Sequence, residues 1–125
     1  MFVINDDGSI YLTRGDIAII EVSAKKSETE DYTFKVGDIV RFNVFEKKRC
    51  DNVVLQKEVE VEEECTSVII ELDRTDTKLG ELIHKPKDYW YEVELNPETT
   101  PQTIVGYDSE GPKILRLFPE GDENL

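Results

Sequence analysis

Carboxylates are densest near the middle of the chain, where Glu58, Glu60, Glu62, Glu63 and Glu64 fill five of seven positions. Because Ca²⁺ takes six to eight oxygen ligands, this run is a candidate calcium site. Alternate residues of an extended strand, however, lie about 7 Å apart, and their side chains diverge from any single ion. The run therefore favours a solvated acidic face that protects an exposed strand from edge-to-edge pairing.

Cysteine and histidine are scarce: the chain has Cys50, Cys65 and a single histidine, His84. Zinc needs four protein ligands, or three and a water molecule, so we expect no metal site and no cofactor. The two cysteines flank a predicted strand, and their spacing is compatible with a disulfide or with two reduced thiols. Reduced thiols are favoured, because no basic and apolar leader opens the chain.

Catalytic patterns are few. The sequence has no glycine-rich phosphate loop, and no glycine-flanked serine or paired cysteine that His84 would activate. Carboxylate pairs are so frequent in this chain that they carry little information about acid–base chemistry. We therefore predict that the protein is not an enzyme, and a small hydrolase with a carboxylate pair is the least favoured hypothesis.

The charge balance excludes further classes. Lys and Arg number 15 against 28 Asp and Glu, which gives a formal net charge of −13. Nucleic acids and anionic membranes are bound through clustered basic residues, so neither is an expected partner. No apolar stretch approaches the roughly 18 residues of a membrane-spanning helix. A basic protein partner is compatible with this charge.

Two aromatic residues are the candidate contact residues. In the alternating segment 88–95, Tyr89, Tyr91 and Val93 share one face, and Trp90 lies on the other. Exposed tryptophan is enriched at protein interfaces, although Trp90 would be a core residue if both sheet faces were covered. Strand parity makes Phe45 a second outward aromatic. We predict an interface that includes Trp90 and Phe45.

Alternation of apolar and polar residues recurs along the whole chain and predicts about eight strands. The extended segments that carry this pattern are 2–4, 10–12, 16–24, 39–45, 53–62, 66–73, 88–95, and 102–107 with 113–118 as a last hairpin. The segment 16–24 has so much Ile and Val that it is predicted to be buried on both faces in part. At most one short helical turn is predicted, and its candidate is 73–80.

This pattern, with turns every eight to twelve residues and no alternation of strands with helices, predicts an antiparallel β-sandwich or small barrel. No composition shift divides the chain, so residues 1–125 are predicted to form one domain. Residues 119–125 are predicted to be a frayed acidic tail.

Three segments together resemble a known family. They are Leu12-Thr13-Arg14-Gly15-Asp16, then Tyr32-Thr33-Phe34 with Val36-Gly37-Asp38-Ile39-Val40-Arg41-Phe42, and Asp88-Tyr89-Trp90-Tyr91-Glu92-Val93 before Gln102-Thr103-Ile104. In order and spacing, the chain resembles the N-terminal domain of the baseplate upper proteins of tailed phages of Gram-positive hosts. It is similar also to small tail-module proteins of Firmicutes phages and prophages.

The resemblance implies an immunoglobulin-like β-sandwich that acts as a non-enzymatic structural adaptor in the virion. Its partners would be other tail or baseplate proteins, or further copies of itself. Baseplate upper proteins continue into a helical linker and another domain, so a smaller accessory or assembly role is implied equally. On this hypothesis, Trp90→Ala preserves the fold and weakens association.

The alternative hypothesis is a carbohydrate-binding module on the same sandwich. In that case Trp90, Tyr91 or Tyr107 would stack on a sugar ring, with Ca²⁺ near Glu58–Glu64.

Overall fold

The computed structural model describes residues 1–27, 29–47, 52–80, 84–106, 108 and 111–120. These residues form nine strands: β1 (Phe2–Ile4), β2 (Ile10–Thr13), β3 (Ala18–Val22), β4 (Ile39–Phe45), β5 (Val53–Glu60), β6 (Val68–Leu72), β7 (Lys87–Leu95), β8 (Gln102–Val105) and β9 (Ile114–Phe118). None of the residues described belongs to a helix long and apolar enough to cross a membrane.

The strands form two sheets of unequal size. The larger sheet has the order β1-β2-β9-β7-β4-β5, with β8 also paired to β7, and the smaller sheet consists of β3 and β6. All strand pairs are antiparallel except β2 and β9, which run parallel. The predicted all-β sandwich is confirmed, with nine strands described instead of about eight.

The core lies between the inner faces of the two sheets. Each strand of the smaller sheet buries every second side chain, and Ile70 of β6 is fully buried. The facing side chains come from the central strands of the larger sheet, including Phe42, Val93 and Leu115. Burial of one such side chain stabilises the fold by about 1.5–3 kcal/mol, so the alternating pattern is the main source of stability.

One prediction about local structure is wrong. The strand at 16–24 is buried on one face only, because the smaller sheet has a single partner layer; Ile19 of β3 points outward and is exposed. The segment 73–80 forms turns and no helix. Its first turn is closed by reciprocal bonds in which the amides of Asp73 and Asp76 each donate to the other's carboxylate.

The predicted C-terminal hairpin is also wrong, because β8 and β9 do not pair with each other. Both lie along the edge of β7 opposite to β4: β8 pairs with Val93–Leu95, and β9 pairs with Lys87–Trp90. The other edge of β9 is taken by β2. Both edges of β9 are therefore occupied by other strands, one of them the distant β2, so β8 has no edge of β9 to pair with.

Some predictions fall on residues whose structure is not described. Cys50 lies outside the described residues, whereas Cys65 is a half-buried free thiol. The predicted tail falls outside them from residue 121 onward, and Pro119 and Glu120 are half-buried.

One end of the core is closed by the turn between β1 and β2. The Tyr91 hydroxyl group donates a hydrogen bond to the carbonyl oxygen of Gly8, and Lys113 Nζ donates to that of Asp7 at 2.9 Å. Gly8 has a φ of 89°, which favours glycine. Burial, together with the negative charges of Asp7 and Asp108, raises the pKa of Tyr91 to about 12.

This pKa predicts a loss of stability at high pH. A phenol whose pKa is higher in the folded than in the unfolded state contributes stability that is complete below about pH 10 and is lost as the pH approaches 12. Near pH 8, Tyr91→Phe should lower the free energy of unfolding by about 1 kcal/mol through the lost hydrogen bond. Near pH 11.5 this difference should shrink to zero or reverse.

Urea denaturation of both proteins at the two pH values measures the difference directly. Tyr11→Phe, whose ring lies on the outer face of the larger sheet, is the matched control. A difference for Tyr91→Phe that stays constant with pH would contradict the buried phenol.

Candidate functional site

The two predicted contact residues are direct neighbours on the outer face of the larger sheet. Phe45 of β4 lies opposite Trp90 of β7, and Trp90 lies opposite Ile114 of β9. We call these three residues the aromatic row. Trp90 and Ile114 are half-buried, so the row forms a partly accessible apolar strip across three strands.

Phe45 is not the exposed aromatic residue that the sequence predicted. Its direction is as predicted, but only 4% of it is exposed. The physical reason is its position in an interior strand, where Val53 lies beside it on β5 and Trp90 lies beside it on β7. Parity gives the face on which a side chain lies, but the size of its cross-strand neighbours decides how much solvent reaches it.

The part of this outer face that β4, β5 and β7 form beside the aromatic row is polar and internally bonded. Asn43 Nδ2 donates to Glu94 Oε1 at 2.9 Å, and Asn43 Oδ1 accepts from Gln56 Nε2 at 2.9 Å. Two residues earlier on β4, Arg41 donates to Glu58 through Nε at 2.7 Å and to Glu98 at 2.8 Å. Only 4% of Asn43 is exposed, so these pairs form a partly buried polar cluster in which the side chains satisfy one another.

The acidic run does not form a metal site in the described structure. Glu58 is paired with Arg41 on the outer face of β5, and Glu62, Glu63 and Glu64 are exposed beyond the end of that strand. Among the described residues, no three histidine, cysteine, aspartate or glutamate side chains are placed to hold one ion.

The aromatic residues proposed for sugar stacking are not assembled either. Tyr91 faces the core with 7% of its surface exposed, and its hydroxyl group is engaged by Gly8. Tyr107 lies outside the described residues, and His84 is exposed. Of the three stacking candidates, Trp90 alone lies on an outer face of the described structure.

A group of exposed apolar side chains lies on the opposite side of the sandwich. Ile19 and Ile69 point outward from the smaller sheet with exposed fractions of 56% and 48%, and Ile17, directly before β3, is 51% exposed. Ile19 lies opposite Glu71, and Ile69 lies opposite Glu21. The two isoleucines are therefore diagonal neighbours across the two strands, and so are the two glutamates. We call these three isoleucines the isoleucine face.

This surface was not predicted, although the sequence contains a signal for it. Residues 18–22 read Ala-Ile-Ile-Glu-Val and residues 68–72 read Val-Ile-Ile-Glu-Leu, so the two paired strands share one pattern. Adjacent isoleucines on a strand must point to opposite faces, and with only two layers one of them must face solvent. The high Ile and Val content of residues 16–24 instead favoured the prediction of burial on both faces.

Comparisons with known proteins give no match to a family model, to a curated protein or to a solved structure. The exposed apolar surfaces and their charges therefore provide the basis for a functional proposal.

The burial of the aromatic row predicts unequal effects of substitution. Phe45→Ala should lower the free energy of unfolding by about 3 kcal/mol, because it removes a nearly buried ring. Val53→Ala, on the opposing residue of β5, should cost less than about 1 kcal/mol because Val53 is exposed. Urea denaturation at neutral pH gives both values, and equal costs would show that Phe45 is not enclosed by its neighbours.

Proposed function

We propose that this protein is a non-enzymatic binding module that docks a partner protein on its isoleucine face. The observation that carries the proposal is the exposure of about half of each of three isoleucines on one side of a two-stranded sheet. Contiguous exposed apolar surface is rare on soluble monomers and marks interaction sites. Glu21 and Glu71 lie among the isoleucines and add a polar rim, as is usual at such sites.

The strand order supports an immunoglobulin-like plan for the module. In that fold, a sheet with strands in the order G, F, C and C′ faces a sheet that contains B and E. The order β9-β7-β4-β5 facing β3-β6 follows this plan. The parallel pairing of β2 with β9 adds an N-terminal strand to the edge of the larger sheet.

The biological setting in the proposal is a phage or prophage tail, with the protein in the virion as an adaptor or in its assembly. This part rests on the sequence resemblance to tail-module proteins. The segments of that resemblance lie at the turn from β2 into β3, at the turn into β4, in β7 and in β8. They are the segments that build the sandwich, so the resemblance concerns the scaffold.

Co-expression with the products of the neighbouring genes tests the proposal. We expect one neighbour to be a tail or baseplate protein that forms a stoichiometric complex, measured by size-exclusion chromatography with light scattering. The double variant Ile17→Ser/Ile19→Ser should fold and should weaken that complex at least tenfold, because the substitution removes apolar area from the contact.

Val3→Ser/Val36→Ser is the matched control, since both valines are exposed and lie away from the isoleucine face. Equal binding by the two double variants would exclude the isoleucine face as the docking surface. Neighbouring genes without any tail function would remove the phage assignment.

A second measurement separates the isoleucine face from the aromatic row. Trp90 is the single tryptophan of the chain and lies on the opposite outer face of the sandwich. In a fluorotryptophan-labelled chain, the fluorine NMR signal should shift little when the partner binds. A large shift with loss of solvent accessibility would instead place the partner on Trp90, as the sequence predicted.

A further inference from the structure

The sandwich is open along the edge where β5 and β6 lie. β5 is the last strand of the larger sheet, and β6 pairs with β3 alone among the described strands. The connection between β5 and β6 forms no strand. Its backbone is hydrogen-bonded to the segment that precedes β4. Gly37 N donates to Val61 O at 2.9 Å, and Phe34 and Cys65 exchange two backbone hydrogen bonds of 2.7 and 3.1 Å.

A groove of about 470 Å³ follows this open edge. Its apolar lining comes from Val59, Val61, Val68 and Ile69, which extend from the end of β5 to the start of β6. Sites of this volume hold a few side chains of a ligand. The groove is thus an apolar trough beside an unpaired strand edge.

The charged residues along the groove are all acidic. Glu60, Glu62 and Glu63 line it, and they make no ion pair with any residue in the described ranges. The nearby cation on the inner face of β5 is already engaged, because Lys57 Nζ contacts Asp76 Oδ2 at 2.9 Å. That hydrogen bond raises the pKa of Lys57. Within the described residues, the three carboxylates therefore present unpaired negative charge to a ligand.

We propose that this groove binds an extended segment of a partner protein in which basic side chains alternate with apolar ones. Such a segment would lie along β6 as an added strand, with main-chain hydrogen bonds to the free edge. Alternate side chains of a strand point to opposite faces, so the apolar set would enter the trough while the basic set meets Glu60, Glu62 and Glu63.

Charge decides between a basic partner and a second copy of this chain. With a net charge of −13, two copies would bring like charges together at the rim, whereas a basic segment removes the repulsion. The inference goes beyond the proposed function, because it concerns the edge of the sandwich and needs no contact with Ile17 or Ile19.

A model peptide tests the inference on the full chain. The probe is a seven-residue peptide with blocked ends in which lysine and valine alternate, and its affinity is measured by calorimetry at low salt. Glu62→Lys/Glu63→Lys should weaken binding at least tenfold. Asp6→Lys/Glu30→Lys changes the net charge equally, at exposed positions outside the groove, and should change the affinity less than threefold.

A peptide of the same composition with its lysines and valines in separate blocks is the ligand control. Equal loss of affinity in the two double variants, or equal affinity for the two peptides, would reduce the effect to general charge attraction and overturn the proposal. Absence of binding by the alternating peptide would overturn it as well.

Amide hydrogen exchange provides an independent measure of strand addition. Bound peptide should slow exchange at least fivefold at alternate amides of β6, because its free edge acquires hydrogen-bond partners. Unchanged exchange in β6 would overturn the added strand even if the groove variants lost affinity. None of these results bears on Ile17→Ser/Ile19→Ser, because neither residue lines the groove, so failure here is distinguishable from failure of the isoleucine face.

Discussion

The smaller sheet has two strands, yet it must cover the inner face of a sheet with seven. Alternate residues of β3 and β6 are buried against the central strands of the larger sheet, and this contact forms the middle of the core. Two strands of about 5 Å spacing cannot cover the full width of the larger sheet. The flanks are closed by other means: Leu79 is buried in the turns after β6, and Tyr91 and Lys113 bind the β1–β2 turn.

The narrow layer also explains where apolar groups reach solvent. A sheet of two strands has two edges and one free face, so it has little neighbouring structure to shield Ile19 or Ile69. The larger sheet has interior strands, and its outer face can enclose a ring such as Phe45 between neighbours. The two outer faces therefore differ in accessibility although both derive from alternating sequences.

Much of the fold could be predicted from period-two alternation, because that pattern directly reflects one buried face. β4, β6 and β7 follow it, and the inward direction of Tyr89, Tyr91 and Val93 was correct. The failures arise where long-range pairing decides. One partner of β9 is β2, more than ninety positions earlier in the chain, and no local turn signal could indicate it. In the candidate site, strand parity predicts that Trp90 and Phe45 lie on the same outer face. It does not predict how exposed Phe45 and Ile19 are, because exposure depends on how many strands surround each residue.

The parallel pair of β2 and β9 also has a mechanical consequence. The four registered residue pairs, from Ile10 with Leu115 to Thr13 with Phe118, join a strand near the start of the chain to the last strand described. Because the strands run parallel, a pull on the start of β2 and the end of β9 is directed along both strands in opposite senses. The hydrogen bonds between them are then loaded together in shear, whereas in an antiparallel hairpin they would open one after another. Once β1 has been detached, this pair resists extension of the domain along its length.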